Sequence, residues 1–417
     1  MVVPEKIKEI LTTWENDIIN TSTFPREIFP LLKDSFTNQL PVVLHGVRRS
    51  GKTYLMYMLF KEFEEGCYIN FEDERLMGLT ATDLEEIYTV YIGIKSPKKP
   101  LMFLDEVQNV EGWEKFVSRL YTKVKFVISG SNATLLSSEY ATALTGRHIP
   151  FLIYPLSFRE YLKATGNHTL NNLVTEQRAK LSALLNNYID YGGFPQASLE
   201  KNTELIKSTF NSILFRDIIP RFGVKNTLSL ETLARYLAVN PGKLFSYRRL
   251  STLVNIRHED TVKNYISYME KAYLFSTVLK FDYSLRKQYA NQKKIYPVDT
   301  SFSKYAGHLF SDETGRLLET VVFNELKRRE FNVFYWRNEQ GKEVDFVSCR
   351  QLVPEQLIQV SVRITDERQL AREISPLLIA SELLGIENIL LITLYPVAFN
   401  LPPFVTHISA IDWLLSV

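Results

Sequence analysis

The sequence predicts an α/β protein in three successive parts: a parallel sheet with covering helices, a helical region, and a second α/β unit. Three observations carry that reading. Between Leu40 and about Ser157, short apolar runs alternate with amphipathic stretches, the pattern of strands joined by crossover helices. From about 158 to 275, apolar residues recur at spacings of three and four, as in LSALLNNYI and LIKSTFNSILFRDII, without a clear strand run. Beyond about 290 strand-like and helical segments mix again.

Length and composition set the frame. At roughly 100 to 200 residues per domain, 417 residues make two to four domains with ample cores. The 45% hydrophobic, 12% aromatic and 23% charged content is near the globular average and argues against disorder. With 49 Lys+Arg against 47 Asp+Glu, net charge gives no whole-chain case for nucleic acid. Cys67 and Cys349 stand far apart without metal-ligand neighbours, which argues against a disulfide framework and a zinc site and predicts two buried thiols. The start, MVVPEKIKEI, is charged where a signal peptide needs apolar residues, and no stretch approaches the roughly 18 apolar residues of a membrane span. A soluble, cytoplasmic protein without a membrane partner is the expectation.

Taken in order, residues 1–38 carry Ile7, Ile10, Leu11, Trp14 and Ile18 at helical spacing and predict a helical lead-in. Strands follow at LPVVLHG, CYINFED, LMFLDE, KFVISGS and HIPFLIYPL, with helices from Thr53 to Glu64 and around Trp113 to Tyr121. The late unit offers IYPVDTS, a long helix TGRLLETVVFNELKRRE, then NVFYWRN, KEVDFVS, LIQVSVRI and NILLITL.

The strongest motif is Gly46-Val47-Arg48-Arg49-Ser50-Gly51-Lys52-Thr53, which fits G-x-x-x-x-G-K-[ST] between a strand and a helix. Glycines let backbone N–H groups wrap phosphates, the helix N-terminus adds partial positive charge, Lys52 reaches the β and γ phosphates, and Thr53 offers a hydroxyl to Mg²⁺. LMFLDE then places Asp105 and Glu106 at the carboxyl end of a buried strand, where such sheets bind ligands. Asp105 is expected to hold Mg²⁺ through water and Glu106 to polarise the attacking water. Because CYINFED lies between the two motifs, the order fits the additional-strand class of P-loop ATPases. After the next strand, Asn132 or Ser131 is the candidate for orienting that water. Arg147 could reach a neighbouring subunit's nucleotide or form a structural ion pair, and Arg216 and Arg221 are weaker candidates for the same reach. His45, beside the loop, reads as packing.

GVRRSGKT, FLDEVQNVEGWE, SGSNATLL, LTGR, YPLSFREYL and YGGFPQA, in this order, resemble the AAA-type ATPases of archaea and bacteria. The resemblance runs from about 38 to beyond 360. It implies an AAA+ fold with Lys52, Thr53, Asp105 and Glu106 in the roles above, a helical lid, a winged helix, and a restriction-endonuclease-like C-terminal domain. The expected division is 1–38 lead-in, 39–160 ATPase core, 161–290 lid and winged helix, and 291–417 nuclease-like domain.

Two later segments bear on partners. A helix at Tyr247 to Val254, a turn, and a helix at about Glu259 to Lys271 before a strand give helix-turn-helix spacing. Lys243 to Arg257 has four basic residues and no acid, and Lys280 to Lys294 has five against Asp282 alone. Arg248, Arg249, Arg257, Lys263 and Lys287 are therefore candidate phosphate-backbone contacts, a packing module with solvated charges being the alternative. In the nuclease-like part, Glu319 and Asp345 supply two of the carboxylates that a metal-dependent site needs, but Gln359 and Ser361 stand where Glu-x-Lys should be. A neutral amide is a poor Mg²⁺ ligand and serine does not replace an ammonium. The domain is thus expected not to cut, unless Arg363, on the strand face of Ser361, replaces the lysine. Trp336 is read as core, with stacking on a base as the alternative.

The whole describes an ATP- and Mg²⁺-binding, ATP-hydrolysing protein that couples nucleotide state to its C-terminal half. Double-stranded DNA, a further copy of the chain or a protein partner are its candidate partners. An ATP-gated interaction scaffold without DNA is the alternative, and an ATP-controlled nuclease a third.

Overall fold

The computed structural model describes residues 4–63, 65–131, 146–167, 175–305 and 313–416. The chain divides into two compact units, Met1–Tyr154 and Pro155–Val417.

In the first unit, strands β1 (Val42–His45), β2 (Cys67–Asn70), β3 (Leu101–Asp105), β4 (Lys125–Gly130) and β5 (Ile149–Leu152) form a parallel sheet in the order β2-β3-β4-β1-β5. Every residue of β1, β3 and β4 is buried, because helices cover both faces of a parallel sheet, and this is why the middle of each strand reads as an apolar run. β2 separates the two nucleotide motifs in sequence but lies at the sheet edge. The strand that separates them in space is β4, between β1 and β3.

The lead-in helix Pro4–Asn20 belongs to this core: Ile7 and Ile10 pack in the cluster of Leu84, Ile87 and Tyr91, and Ile18 in that of Leu55 and Leu59. Helix Ala81–Lys95 was not expected. It begins with a capping box formed by Thr80 and Asp83 and buries Leu84, Ile87 and Tyr91 at spacings of three and four.

The second unit is helical up to Lys271, including helices Thr175–Tyr191, Thr227–Val239, Tyr247–Leu253 and Glu259–Lys271. Strands β6 (Phe275–Val278) and β7 (Lys294–Pro297) then pair antiparallel, with the short helix Leu285–Ala290 between them. A mixed sheet follows in the order β12-β11-β10-β9-β8, from β8 (Asn332–Arg337), β9 (Glu343–Arg350), β10 (Val353–Ser361), β11 (Asn388–Thr393) and β12 (Val405–Ser409). β8, β9 and β10 are antiparallel neighbours, whereas β10, β11 and β12 run parallel, with helix Glu367–Leu384 making the crossover from β10 to β11. Among the described residues no helix is long and apolar enough to cross a membrane.

Candidate nucleotide site

The site grows from the carboxyl ends of β1, β3 and β4. After β1 the chain turns through Gly46 (φ 145°), Arg49 (φ 64°) and Gly51 (φ 100°) into helix Lys52–Glu62. Gly46 has no substitute: a Cβ there would lie 2.3 Å from the Ile153 carbonyl oxygen. The Lys52 ammonium is buried and donates to the carbonyls of Gly46 (3.0 Å) and Val47 (3.1 Å), bracing the loop from inside. Arg26 ties the loop from the other side, donating to the Ser50 carbonyl at 3.0 Å and to the Tyr154 carbonyl at 2.8 Å. Arg48 pairs with Glu72 at 3.0 Å.

Asp105, fully buried at the end of β3, is the hub. Its carboxylate accepts from the Thr53 hydroxyl (2.8 Å), the Tyr68 hydroxyl (2.6 Å) and the Ser129 hydroxyl. Ser129 in turn accepts from the backbone N–H of Glu106 at 3.1 Å. The position of β4 between β1 and β3 explains this: its end sets Ser129 between the loop and the acidic pair. Burial, followed by the charge of Glu106, raises the Asp105 pKa. Glu106 sits in the left-handed region (φ 53°), a conformation that costs of order 1–3 kcal/mol and clusters at functional sites. Its carboxylate accepts from the Gln108 side-chain amide.

The loop fits a phosphate-bearing nucleotide with Mg²⁺. The Ser50 hydroxyl is buried in it without a hydrogen-bond partner, although a buried polar group normally has one. Thr53 and Asp105, the two expected Mg²⁺ positions, lie side by side.

His45, at the end of β1, is buried, and burial together with the Lys52 ammonium and His148 pushes its imidazole down to about 4. The folded state therefore resists protonation that the unfolded chain accepts near 6.5. Stability is intact above about 6.5 and falls as the pH drops toward 4, by an amount on the order of 3 kcal/mol for His45 alone. Denaturant titrations of wild type and His45→Asn at pH 7 and 5 check this: the wild-type loss should exceed that of the variant.

Other expected residues lie elsewhere. Ser131 is buried after β4, Asn132 falls outside the described residues, and Arg147 is exposed just before β5. Arg216 and Arg221 are exposed in the second unit. Arg248, Arg249, Arg257, Lys263 and Lys287 are all exposed, and Lys263 is paired with Asp260 at 2.7 Å. In the C-terminal sheet, the Gln359 side chain accepts from the Asp345 N–H at 3.3 Å and donates to Glu373 at 2.9 Å. The Ser361 hydroxyl meets the Arg363 carbonyl at 3.4 Å. The expectation for Arg363 needs correction, since β10 ends at Ser361 and the Arg363 guanidinium lies 4.5 Å from the Tyr395 ring centroid. Trp336 is buried in the core of this sheet. Sequence reasoning did not pick out Tyr68, Ser129, Gln108 or Arg26; only the strand order shows that the end of β4 faces Asp105.

The chain matches the AAA-domain family over residues 38–162, followed by two domains of unknown function, DUF8612 over 182–313 and DUF4143 over 314–395. An uncharacterized protein of Methanocaldococcus jannaschii is 33% identical over 362 residues, covering 83% of this chain and 80% of that one. The chain belongs to this family of AAA-type ATPases. A second relative, an uncharacterized protein of Haemophilus influenzae, is 33% identical over 325 residues, 73% of this chain and 78% of its own. Among solved structures, the Walker-type ATPase of Pyrococcus abyssi aligns with a TM-score of 0.43 at 14% identity, covering 69% of this chain and 99% of that one.

Proposed function

We propose that this chain binds ATP with Mg²⁺ and hydrolyses it, passing nucleotide state to its second unit. The observation that carries the reading is the continuous network Thr53–Asp105–Ser129–Glu106 behind a loop with an unpaired buried hydroxyl. Lys52 supplies positive charge to the phosphates, and the N–H groups of the turn at the start of helix Lys52–Glu62 add their dipoles. Thr53 and Asp105 are the residues that would hold the Mg²⁺ ion, which when bound offsets phosphate charge. Glu106 acts as the base that orients and deprotonates water, its backbone set by Ser129 and its carboxylate by Gln108. Ser129 and Gln108 are positioning residues. Arg147, exposed before β5, remains the candidate for reaching a second copy of the chain.

For the second unit we read helices Tyr247–Leu253 and Glu259–Lys271 with the β6–β7 pair as a winged helix, and the mixed sheet with its leading helix as a nuclease-like fold that does not cut. Exposed Arg248, Arg249, Arg257 and Lys287 support double-stranded DNA as partner. The double variant Arg248→Glu/Arg249→Glu is expected to weaken DNA binding at all sequences and to lower the salt dependence of log K by about 2. Fluorescence anisotropy against salt concentration measures it.

A protein partner is the second reading. Tyr283, Leu285 and Tyr289 are 74%, 66% and 66% exposed beside Lys287, and Glu259 and Asp260 put negative charge at the start of the second helix. Steady-state ATP hydrolysis with and without double-stranded DNA at physiological salt separates the two. Stimulation by DNA supports the first reading. DNA-independent turnover, with no DNA affinity at that salt, supports the second.

A further inference from the structure

The second unit holds a group of charges that the nucleotide reading does not use. Lys294, in β7, is 1% exposed, and its ammonium lies 2.8 Å from Glu343, 3.2 Å from Glu319 and 3.7 Å from Asp345. Glu343 and Asp345 share one face of β9, two residues apart, while Glu319 comes from helix Thr314–Arg328. Glu319 and Asp345, both half-buried, are each fixed by a further contact. The Tyr296 hydroxyl donates to Glu319 at 2.5 Å, and the Val360 N–H donates to Asp345 at 2.9 Å. Gly242 (φ +70°) passes so close that a Cβ would lie 3.0 Å from the Glu319 carboxylate.

Like charges gathered away from water repel, and such a cluster needs a cation among its members or a retained proton. Here the cation is present and can be named. The sequence lacks an ammonium at Ser361, but the chain brings one to the same carboxylates from β7. We infer that Glu319, Glu343 and Asp345 form a cation site whose occupant is the chain's own Lys294, and that removing this ammonium converts it into a site for a hard divalent cation. Three carboxylates are the donor set that Mg²⁺ and Mn²⁺ take. A divalent ion would bring twice the charge of one ammonium to the same three carboxyl groups.

Among the described residues no three His, Cys, Asp or Glu side chains are arranged to hold a metal ion, and at this cluster the ammonium is what stands among them. Its contacts of 2.8 to 3.7 Å exceed metal–oxygen distances of about 2.0 to 2.6 Å, so the carboxylates would draw inward by about 1 Å. Glu343 also lines an open cavity of about 640 Å³ together with Lys342, Gln359, Arg372 and Glu373.

The test is Mn²⁺ titration of the full chain without nucleotide, by calorimetry and electron paramagnetic resonance. Wild type should show no Mn²⁺ uptake that depends on Asp345. Lys294→Met should gain one equivalent per chain, lost again in Lys294→Met/Asp345→Asn. Wild-type uptake abolished by Asp345→Asn, or a folded Lys294→Met that takes up none, would overturn the inference. If Lys294→Met folds only with Mn²⁺ in the buffer, that supports it; if it stays unfolded with Mn²⁺ present, the inference fails.

Discussion

Gly192→Ala is expected to destabilise the second unit by about 3 kcal/mol or more, in the range of steric and strained-backbone substitutions. Gly192 has φ +72°, and a Cβ on it would lie 1.7 Å from Asp299 Oδ1. Asp299 is not free to step aside. It accepts from the Gly193 N–H at 2.7 Å, the Ser301 N–H at 3.0 Å and the Ser301 hydroxyl at 2.5 Å. Gly193 is confined as well, since its own Cβ would lie 2.4 Å from the Leu156 carbonyl oxygen. The YGGFP segment is thus a joint between Leu156 and Asp299. Asp299→Asn keeps the volume but gives up one acceptor, and should cost less, about 1–3 kcal/mol. Burial raises Asp299 to about 6, so its folded carboxyl holds a proton longer than the unfolded one. Its contribution therefore falls as the pH rises from about 4 to 6, opposite in sign to that of His45. Denaturant unfolding of the two variants at pH 7 is the check, and an unchanged midpoint for Gly192→Ala would contradict this joint.

Lys52→Ala should weaken nucleotide binding to the first unit while leaving it folded. The side chain carries the loop's buried positive charge and its two bonds to the carbonyls of Gly46 and Val47. Hydrogen bonds to charged groups contribute about 1.5–3 kcal/mol, so affinity for ATP should fall by roughly 10- to 150-fold. Calorimetric titration of both proteins measures it, with circular dichroism as the control for folding. Equal affinity would mean that the loop holds phosphate without its ammonium.

Much of the fold could be read in advance because its signals are local. Buried strands such as Val42–His45 and Leu101–Asp105 are apolar up to their last residue, and Gly46 to Thr53 carries its own strand and helix context. Helix Ala81–Lys95 shows Leu84, Ile87 and Tyr91 at helical spacing behind the Thr80–Asp83 capping box, a legible pattern that alternating strand runs on either side obscured. The residues missed at the site share a different cause. Ser129 and Tyr68 reach Asp105 only because of the strand order β2-β3-β4-β1-β5, which is a long-range pairing. Lys294 is a sharper case. In sequence it is one of several lysines in a basic stretch, and only the placement of β7 beside Glu319 and β9 gives it three carboxylates. Arg363 was assigned to a strand that stops two residues earlier, at Ser361.

The central claim, that the Asp105–Glu106 pair turns over ATP bound in the loop, is tested most directly by phosphate release from saturating Mg·ATP, run beside Glu106→Gln. The account predicts steady wild-type turnover, and a variant that binds ATP within a few-fold of wild type but releases phosphate about 10²- to 10⁴-fold more slowly, the usual contribution of a general base. Equal rates in the two proteins, or no release by wild type, would contradict it.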